Sequence, residues 1–300
     1  MALTYKFHLL RPFQNLLGPC WRQIIKLRYL KAYHRFLPEK NPVTYHEKVL
    51  WLLLHSDLKE WAWRADKYRV RDYVARVGGE DLLPQLYGVY DNADEIDFDS
   101  LPQSFVLKTN NGCTTNLIVP DKSKLDIAAT RRLLNSWLTL KYGNLTGERH
   151  YSLIEPKLIC EEMLVDHQHP GSSLIDYKFN CFNGVPRSVT VYSDRVAGTH
   201  RKSYMVYDMD WNPMPEVLDT SCENLTLAKP MERPACFDRL KELAATFSRD
   251  FPYLRVDFYI IDGQPKFGEL TFTPGFDTYY TADYYRQLGE MIEIPATMSR

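Results

Sequence analysis

The chain has 300 residues, is 45% hydrophobic and 25% charged, and carries a formal net charge of -1, enough to bury a sizeable core in one large domain or two smaller lobes. That balance excludes the bulk attraction on which nucleic-acid binders rely, and the longest apolar runs, such as residues 49–54, fall far short of the roughly 20 residues of a membrane-spanning helix. The six cysteines are scattered without a Cys-x-x-Cys pair, which argues against a zinc site or disulfide framework and for the reduced thiols of a cytoplasmic protein.

Residues 1–44 read as a basic, partly helical segment. Lys6, Arg11, Arg22, Lys26, Arg28, Lys31 and Arg35 occur there, with no acid before residue 36. Trp21, Ile24, Ile25, Leu27, Tyr29 and Leu30 fall between the charges at the spacing of a basic amphipathic helix. Such a helix suits an anionic membrane surface or packing on its own domain, and Pro12, Gly18 and Pro19 interrupt the segment before it. No small-residue cleavage site marks a secretory signal.

Residues 45–104 form a helical and mixed region. Thr44 with Glu47 makes a capping box for a helix through Leu54, and a second helix carrying Asp66, Lys67, Arg69, Arg71 and Tyr73 stops at Gly78-Gly79. Residues 82–89 read as a short extended piece, and the acids between Asp91 and Asp99 as a polar loop.

From 105 onward strands dominate. Phe105-Val-Leu-Lys108 is a buried-strand pattern that delivers a lysine beside the turn-prone loop 109–116, with Gly112 at its centre; a lysine next to a loop of backbone amides suits a phosphate, although any strand can end in a solvated lysine. A helix is expected over 125–143, with Leu133, Leu134, Trp137 and Leu138 as its core stripe. Strands are expected at 158–164, 173–182 and 187–193, the last two joined by Asn183-Gly184. A polar loop follows, with Arg195, His200, Arg201 and Lys202. Asp208-Met-Asp210 imitates the metal-binding acids of glycosyltransferases, a pattern that also arises by chance. A helix from Phe237 to Phe247 leads into the last feature, a hairpin turning at Asp262-Gly263.

That hairpin carries the chemistry. Strand alternation puts Arg255, Asp257 and Tyr259 on one face of the first strand, and Phe267, Glu269 and Thr271 on one face of the second. A strict two-residue loop pairs Asp257 with Gly268 and sends Glu269 to the opposite side; a wider loop sets the two acids opposite each other. Pro265, which cannot donate to a ladder, favours the wider loop. The expectation is therefore an acid pair facing one way, whose repulsion calls for a cation, and the hard-oxygen set Asp257, Glu269 and Thr271 suits magnesium. The alternative is a pair of edge-strand acids bridged to surface Lys or Arg.

Arg255-Val-Asp257-Phe followed by Glu269-Leu-Thr271-Phe-Thr-Pro274-Gly275 resembles the metal-binding hairpin of ATP-grasp ligases, departing once where Thr271 stands for asparagine. Beyond the hairpin, residues 65–73, 105–108, 121–126, 176–184, Ser193-Asp-Arg195 and 267–271 make the chain from about Tyr45 onward resemble the TupA-like ATP-grasp family, named for a protein of teichuronopeptide synthesis.

The resemblance implies an α+β ATP-grasp fold whose two lobes, with antiparallel sheets, clamp a nucleotide, with ATP and one or two Mg2+ ions as cofactors. It implies an ATP-binding region over 105–300 with a hinge near 159–164, and an incomplete N-terminal substrate lobe. Arg71 and Lys108, with the loop at Gly112, hold phosphates; Glu161, Glu162, Met163 and Leu164 meet adenine; Asp176 accepts from the ribose. Asp257, Glu269 and Thr271 hold the metal, and Arg255, Lys178, Arg195 and Arg201 face the triphosphate or an acyl phosphate. The implied reaction joins an amine to a uronic-acid carboxyl of a cell-surface glycan, with the basic N-terminal helix serving lipid-linked intermediates at the inner membrane face. The competing readings are a glycosyltransferase or sugar phosphotransferase, and a non-catalytic nucleotide-binding protein.

Overall fold

The computed structural model describes residues 10–168, 173–194, 202–222, 225–276 and 279–295. Its main helices are α1 (Trp21–Tyr33), α2 (Tyr45–His55), α3 (Leu58–Ala65), α4 (Val70–Gly78), α5 (Ile127–Leu138), α6 (Tyr142–Thr146), α7 (Phe237–Ser248) and α8 (Ala282–Glu290). Its strands are β1 (Leu86–Tyr90), β2 (Phe105–Thr109), β3 (Asn116–Val119), β4 (Leu158–Glu161), β5 (Asp176–Phe182), β6 (Val185–Ser193), β7 (Ser203–Tyr207), β8 (Thr226–Leu227), β9 (Tyr253–Ile261) and β10 (Gln264–Thr271). The chain divides into two units, one of Met1–Ile25 and Asp57–Leu164, the other of Lys26–Ser56 and Val165–Arg300.

In the first unit β1, β4, β2 and β3 form an antiparallel sheet in that order. Phe105, Leu107, Leu158 and Cys160 point to one side of it and bury against Ile96, Phe98 and Leu134. The helix expected over 125–143 is two, α5 and α6, with Thr139 ending the first. Leu134 is buried, whereas Leu133, expected in the core stripe, is exposed, because it lies one residue and about 100° off the face centred on Thr130 and Leu134.

In the second unit the order is β10, β9, β5, β6, β7, β8, antiparallel except for the β7–β8 pair. Alternation divides its faces. Phe179, Val189, Val191, Val256 and Phe258 are buried on the apolar face, where Phe179 stacks on Phe237 and Phe258 meets Phe247 of α7. The other face carries Asp176, Lys178, Asn180, Arg255 and Asp257. Helix α2 starts at the expected capping box, its buried Glu47 accepting from the backbone N–H of Val43 and Thr44 and from the Tyr29 hydroxyl.

The β9–β10 turn departs from expectation. Asp262 and Gly263, at φ 50° and 79°, make a strict two-residue turn with Ile261 paired to Gln264, as Asn183 and Gly184 do between β5 and β6. Pro265 tolerates this because β10 is an edge strand, and the Ile260–Pro265 position next to a two-residue turn makes no ladder bond. A bulge at Gly268 then shifts the register, so that Phe267 still pairs with Phe258 but Glu269 pairs with Asp257. Phe267 and Glu269 therefore do not share a face: Phe267 packs on Phe247 and Glu269 stands beside Asp257.

Position 268 admits only glycine without rearrangement, since a Cβ there would lie 2.9 Å from the Asp257 carbonyl oxygen. Gly268→Ala is expected to destabilise the protein by about 1 to 3 kcal/mol, measured by urea unfolding. Two buried histidines set the pH dependence, burial pushing His46 down to about 4 and His150 to about 3. Between those values and about 6.5 the unfolded chain binds protons that the folded chain does not, so stability is full above about pH 6.5 and falls on acidification. The urea midpoint should be lower at pH 5 than at pH 7.

Candidate functional site

In the second unit, three adjacent strands build a two-row grid. The pairing of β5, β9 and β10 sets Lys178, Asp257 and Glu269 in one row and Asn180, Arg255 and Thr271 in the next. Arg255 forks onto Asp257 with two bonds of 2.7 Å, lies 3.5 Å from Glu269 Oε1 and donates to the Thr271 hydroxyl at 3.1 Å. Thr271 in turn donates to Glu269 Oε1 at 3.0 Å. Lys178 pairs with Asp257 and, at 3.3 Å, with Asp176. Lys178, Asp257 and Asp176 are at most 7% exposed.

Burial raises the Asp257 carboxyl, but Arg255 and Lys178 outweigh it and hold the group below the usual carboxylate range. Arg255 is likewise penalised by burial, and Asp257 reverses the effect, driving the guanidinium well above its ordinary value. The oxygens of Asp257, Glu269 and Thr271 already converge on one cationic group, the Arg255 guanidinium. Their hard-oxygen chemistry and convergence fit magnesium, which takes few carboxylates and completes its shell with water and phosphate oxygens. Among the described residues no three His, Cys, Asp or Glu side chains form a metal cluster.

In the first unit, Glu161 on β4 pairs with Lys108 on β2 and lies 3.7 Å from Arg71 of α4. Burial lowers Arg71, with Glu161 partly restoring it. The Arg71 guanidinium also donates to the Pro84 carbonyl at 2.6 Å. Glu162 is bound to Gln85 through both its backbone N–H and its carboxylate, at 2.8 and 3.1 Å, and Met163 and Leu164 are half-buried.

The loop after β2 is pinned rather than loose. Asn110 is buried, donates to Asp66 and the Glu155 carbonyl, both at 3.0 Å, and accepts from the Lys157 N–H at 2.8 Å. Thr109 and Thr115 close the loop through a 3.1 Å backbone bond. Lys67 donates to the Gly112 carbonyl at 2.5 Å. Sequence reasoning assigned no role to Lys67 or Asn110; the available signal was Asp66-Lys67 at the head of α4, whose Asp66 accepts from the N–H of Tyr68 and Arg69.

Arg195 and Arg201 lie outside the described residues. Asp208 of the Asp-x-Asp pattern accepts from the N–H groups of Asp210 and Asn212 and from the Asn212 amide, which makes it a turn former. None of the six cysteines forms a disulfide.

A family model described as TupA-like ATPgrasp matches residues 47–293. No curated protein matches. Among solved structures, the chain is similar to the D-alanine–D-alanine ligase of Bacillus anthracis complexed with ATP, at 16% identity over 79% of this chain and 67% of that one, with a TM-score of 0.49. The D-alanine–D-alanine ligase of Helicobacter pylori aligns at 12% identity over 84% and 67%, TM-score 0.43. Phosphoribosylamine–glycine ligase of Thermotoga maritima aligns at 12% over 70% and 48%, TM-score 0.42.

A group held low, as Asp257 is, contributes stability that is present above the ordinary carboxylate range and lost as pH falls through its folded value. Lys178→Met removes one of the two cations that lower it. The acid-unfolding midpoint of that variant should lie at higher pH than that of the parent, followed by circular dichroism.

Proposed function

The chain belongs to the TupA-like ATP-grasp family, and we propose that it is an ATP-dependent ligase joining the carboxylate of a uronic acid in a cell-surface glycan to an amine. The observation that carries this reading is the bulged hairpin, which sets two acids side by side with Arg255 and Thr271 on a buried polar face. No acyl-enzyme nucleophile is required for such chemistry, because positioning and electrostatics supply the catalysis.

In this reading a substrate carboxylate oxygen attacks the γ-phosphorus of ATP, ADP departs, and an acyl phosphate forms. The amine nitrogen then attacks the acyl carbon, phosphate leaves, and the nitrogen gives up a proton to yield the amide. Lys108 and Arg71, the cations paired with Glu161, take phosphate oxygens in place of that carboxylate, Arg71 offering a planar fork. The pinned loop at Gly112 supports the phosphates, residues 161–164 meet the adenine, and Asp176 accepts from the ribose. Asp257 and Glu269 would hold magnesium, with Thr271 as a third oxygen, and the bound ion would supply positive charge against that of the transferring phosphoryl group. Arg255 and Lys178 face the reacting carboxylate, with Arg195 and Arg201 assigned to the same role.

Leu10, Phe13 and Leu16 are exposed at 47%, 56% and 73%, which supports peripheral contact of the basic N-terminal segment with an anionic membrane. No helix among the described residues is long and apolar enough to cross one.

ADP release should require both an amine and a uronic acid, and Glu269→Gln should lower turnover by about 100-fold or more. Turnover unchanged by that substitution would refute the metal assignment, and release of UDP would replace the ligase with a glycosyltransferase.

A further inference from the structure

Strand β10 ends at Thr271, and residues 272–276 run on outside any strand. Pro274 and Gly275 of that run line a small pocket together with Lys178 and Arg255, the two cations assigned above to the reacting carboxylate. A segment without a ladder takes its position from the groups packed on it. Gly275 is met by His46 of α2, which lines the same pocket and whose Nε2 lies 3.2 Å from the Gly275 carbonyl oxygen.

His46 is 3% exposed, and burial pushes it down to about 4, so that near pH 7 the ring is neutral and carries a single proton. Because a carbonyl only accepts, that proton sits on Nε2, and Nδ1 is left to accept from the Tyr33 hydroxyl at 2.5 Å. The next residue is seated on the same group: the Phe276 ring lies 5.7 Å from the imidazole and 4.9 Å from the Arg28 guanidinium. Both ends of the planar peptide between Gly275 and Phe276 are thereby held.

The support continues into α1. Tyr29 and Tyr33 are four residues apart and share a helix face, from which they reach consecutive residues of α2. Tyr29 donates to Glu47 at 3.0 Å, Tyr33 donates to His46, and Arg35 pairs with Glu47. Helix α1 is thus clipped to the start of α2, and the clip ends on Gly275. Arg28, Tyr33 and His46 all precede residue 47, where the match to the family model begins, so this support lies outside the part of the chain that the model describes.

We propose that His46 is a positioning residue for the reacting carboxylate: with its tautomer set by Tyr33, it holds the Gly275 segment as one wall of the pocket that Arg255 and Lys178 also line, and so sets how an acid seats against those cations. The proposal deepens the ligase reading and rests on it. His46 acts through Gly275, in the way that a supporting hydrogen bond keeps a site group within the narrow tolerance that binding and chemistry require.

Two measurements on the full chain test this. With nitrogen-15-labelled histidine, the His46 ring at pH 7 should show its proton on Nε2, and Tyr33→Phe, which removes only a hydroxyl, should shift the Nδ1 resonance. In calorimetric titration with magnesium and a non-hydrolysable ATP analogue present, His46→Leu should weaken glucuronate binding by about tenfold, the worth of one hydrogen bond, and leave analogue affinity within about twofold. His46→Gln, whose amide donates from near the Nε2 position, should recover most of that loss, and Tyr33→Phe should weaken glucuronate by about threefold. A proton on Nδ1 overturns the positioning role, as does glucuronate affinity unchanged by Tyr33→Phe, the variant that decides where His46→Leu does not fold. Equal losses in His46→Leu and His46→Gln mark the ring as packing alone and overturn it too; in each of these cases bound analogue leaves the ligase reading standing. A parent chain that takes the analogue but no glucuronate overturns the uronic-acid reading and this inference with it, and one that takes neither overturns the ligase reading as well.

Discussion

The structure of the second unit turns on the pairing of Asp257 with Arg255 and Lys178. Three charged side chains lie on one face of the sheet with little exposure, a placement that costs several kcal/mol per ion unless each finds a partner. The strands supply those partners by register alone: Lys178 sits across from Asp257 on β5, and Arg255 two residues before it on β9. The fork from Arg255 then reaches Glu269 and Thr271, so the same contacts that make the burial tolerable also align the acidic pair.

Alternation along β5, β9 and β10 makes this possible. A sheet with one face packed on α7 has its other face free for polar work, and hydrophobic pattern fixes which side chains go where. The apolar face consequently serves as the rigid base on which the grid is held, and Tyr45 and His46 of α2 with Tyr279, Tyr280 and Tyr285 add the aromatic walls of a pocket above it.

Much of this was legible in the residues. The capping box at Thr44 and Glu47, the stop at Gly78-Gly79, the two turns at Asn183-Gly184 and Asp262-Gly263, and the pairing of Asp257 with Glu269 all follow from local rules. The route to that last pairing did not. Pro265 pointed to a wide loop, whereas the chain uses a tight turn and corrects the register at Gly268, because pattern alone cannot distinguish a longer loop from a bulge. The buried bonds of Asn110 and the contact between Lys67 and Gly112 were also out of reach, since they join segments more than forty residues apart. The pocket draws on positions from 45 to 285, and no window of sequence contains it.

The position of β10 has a consequence of another kind. As the outermost strand of its sheet it has no outer strand partner among the described residues, and such a margin is the kind of surface on which foreign chains nucleate intermolecular pairing. Pro265 deletes one donor from that margin, and the bulge at Gly268 breaks its repeat three residues later. The irregularity that sets Glu269 beside Asp257 therefore also guards the molecule against self-templated aggregation.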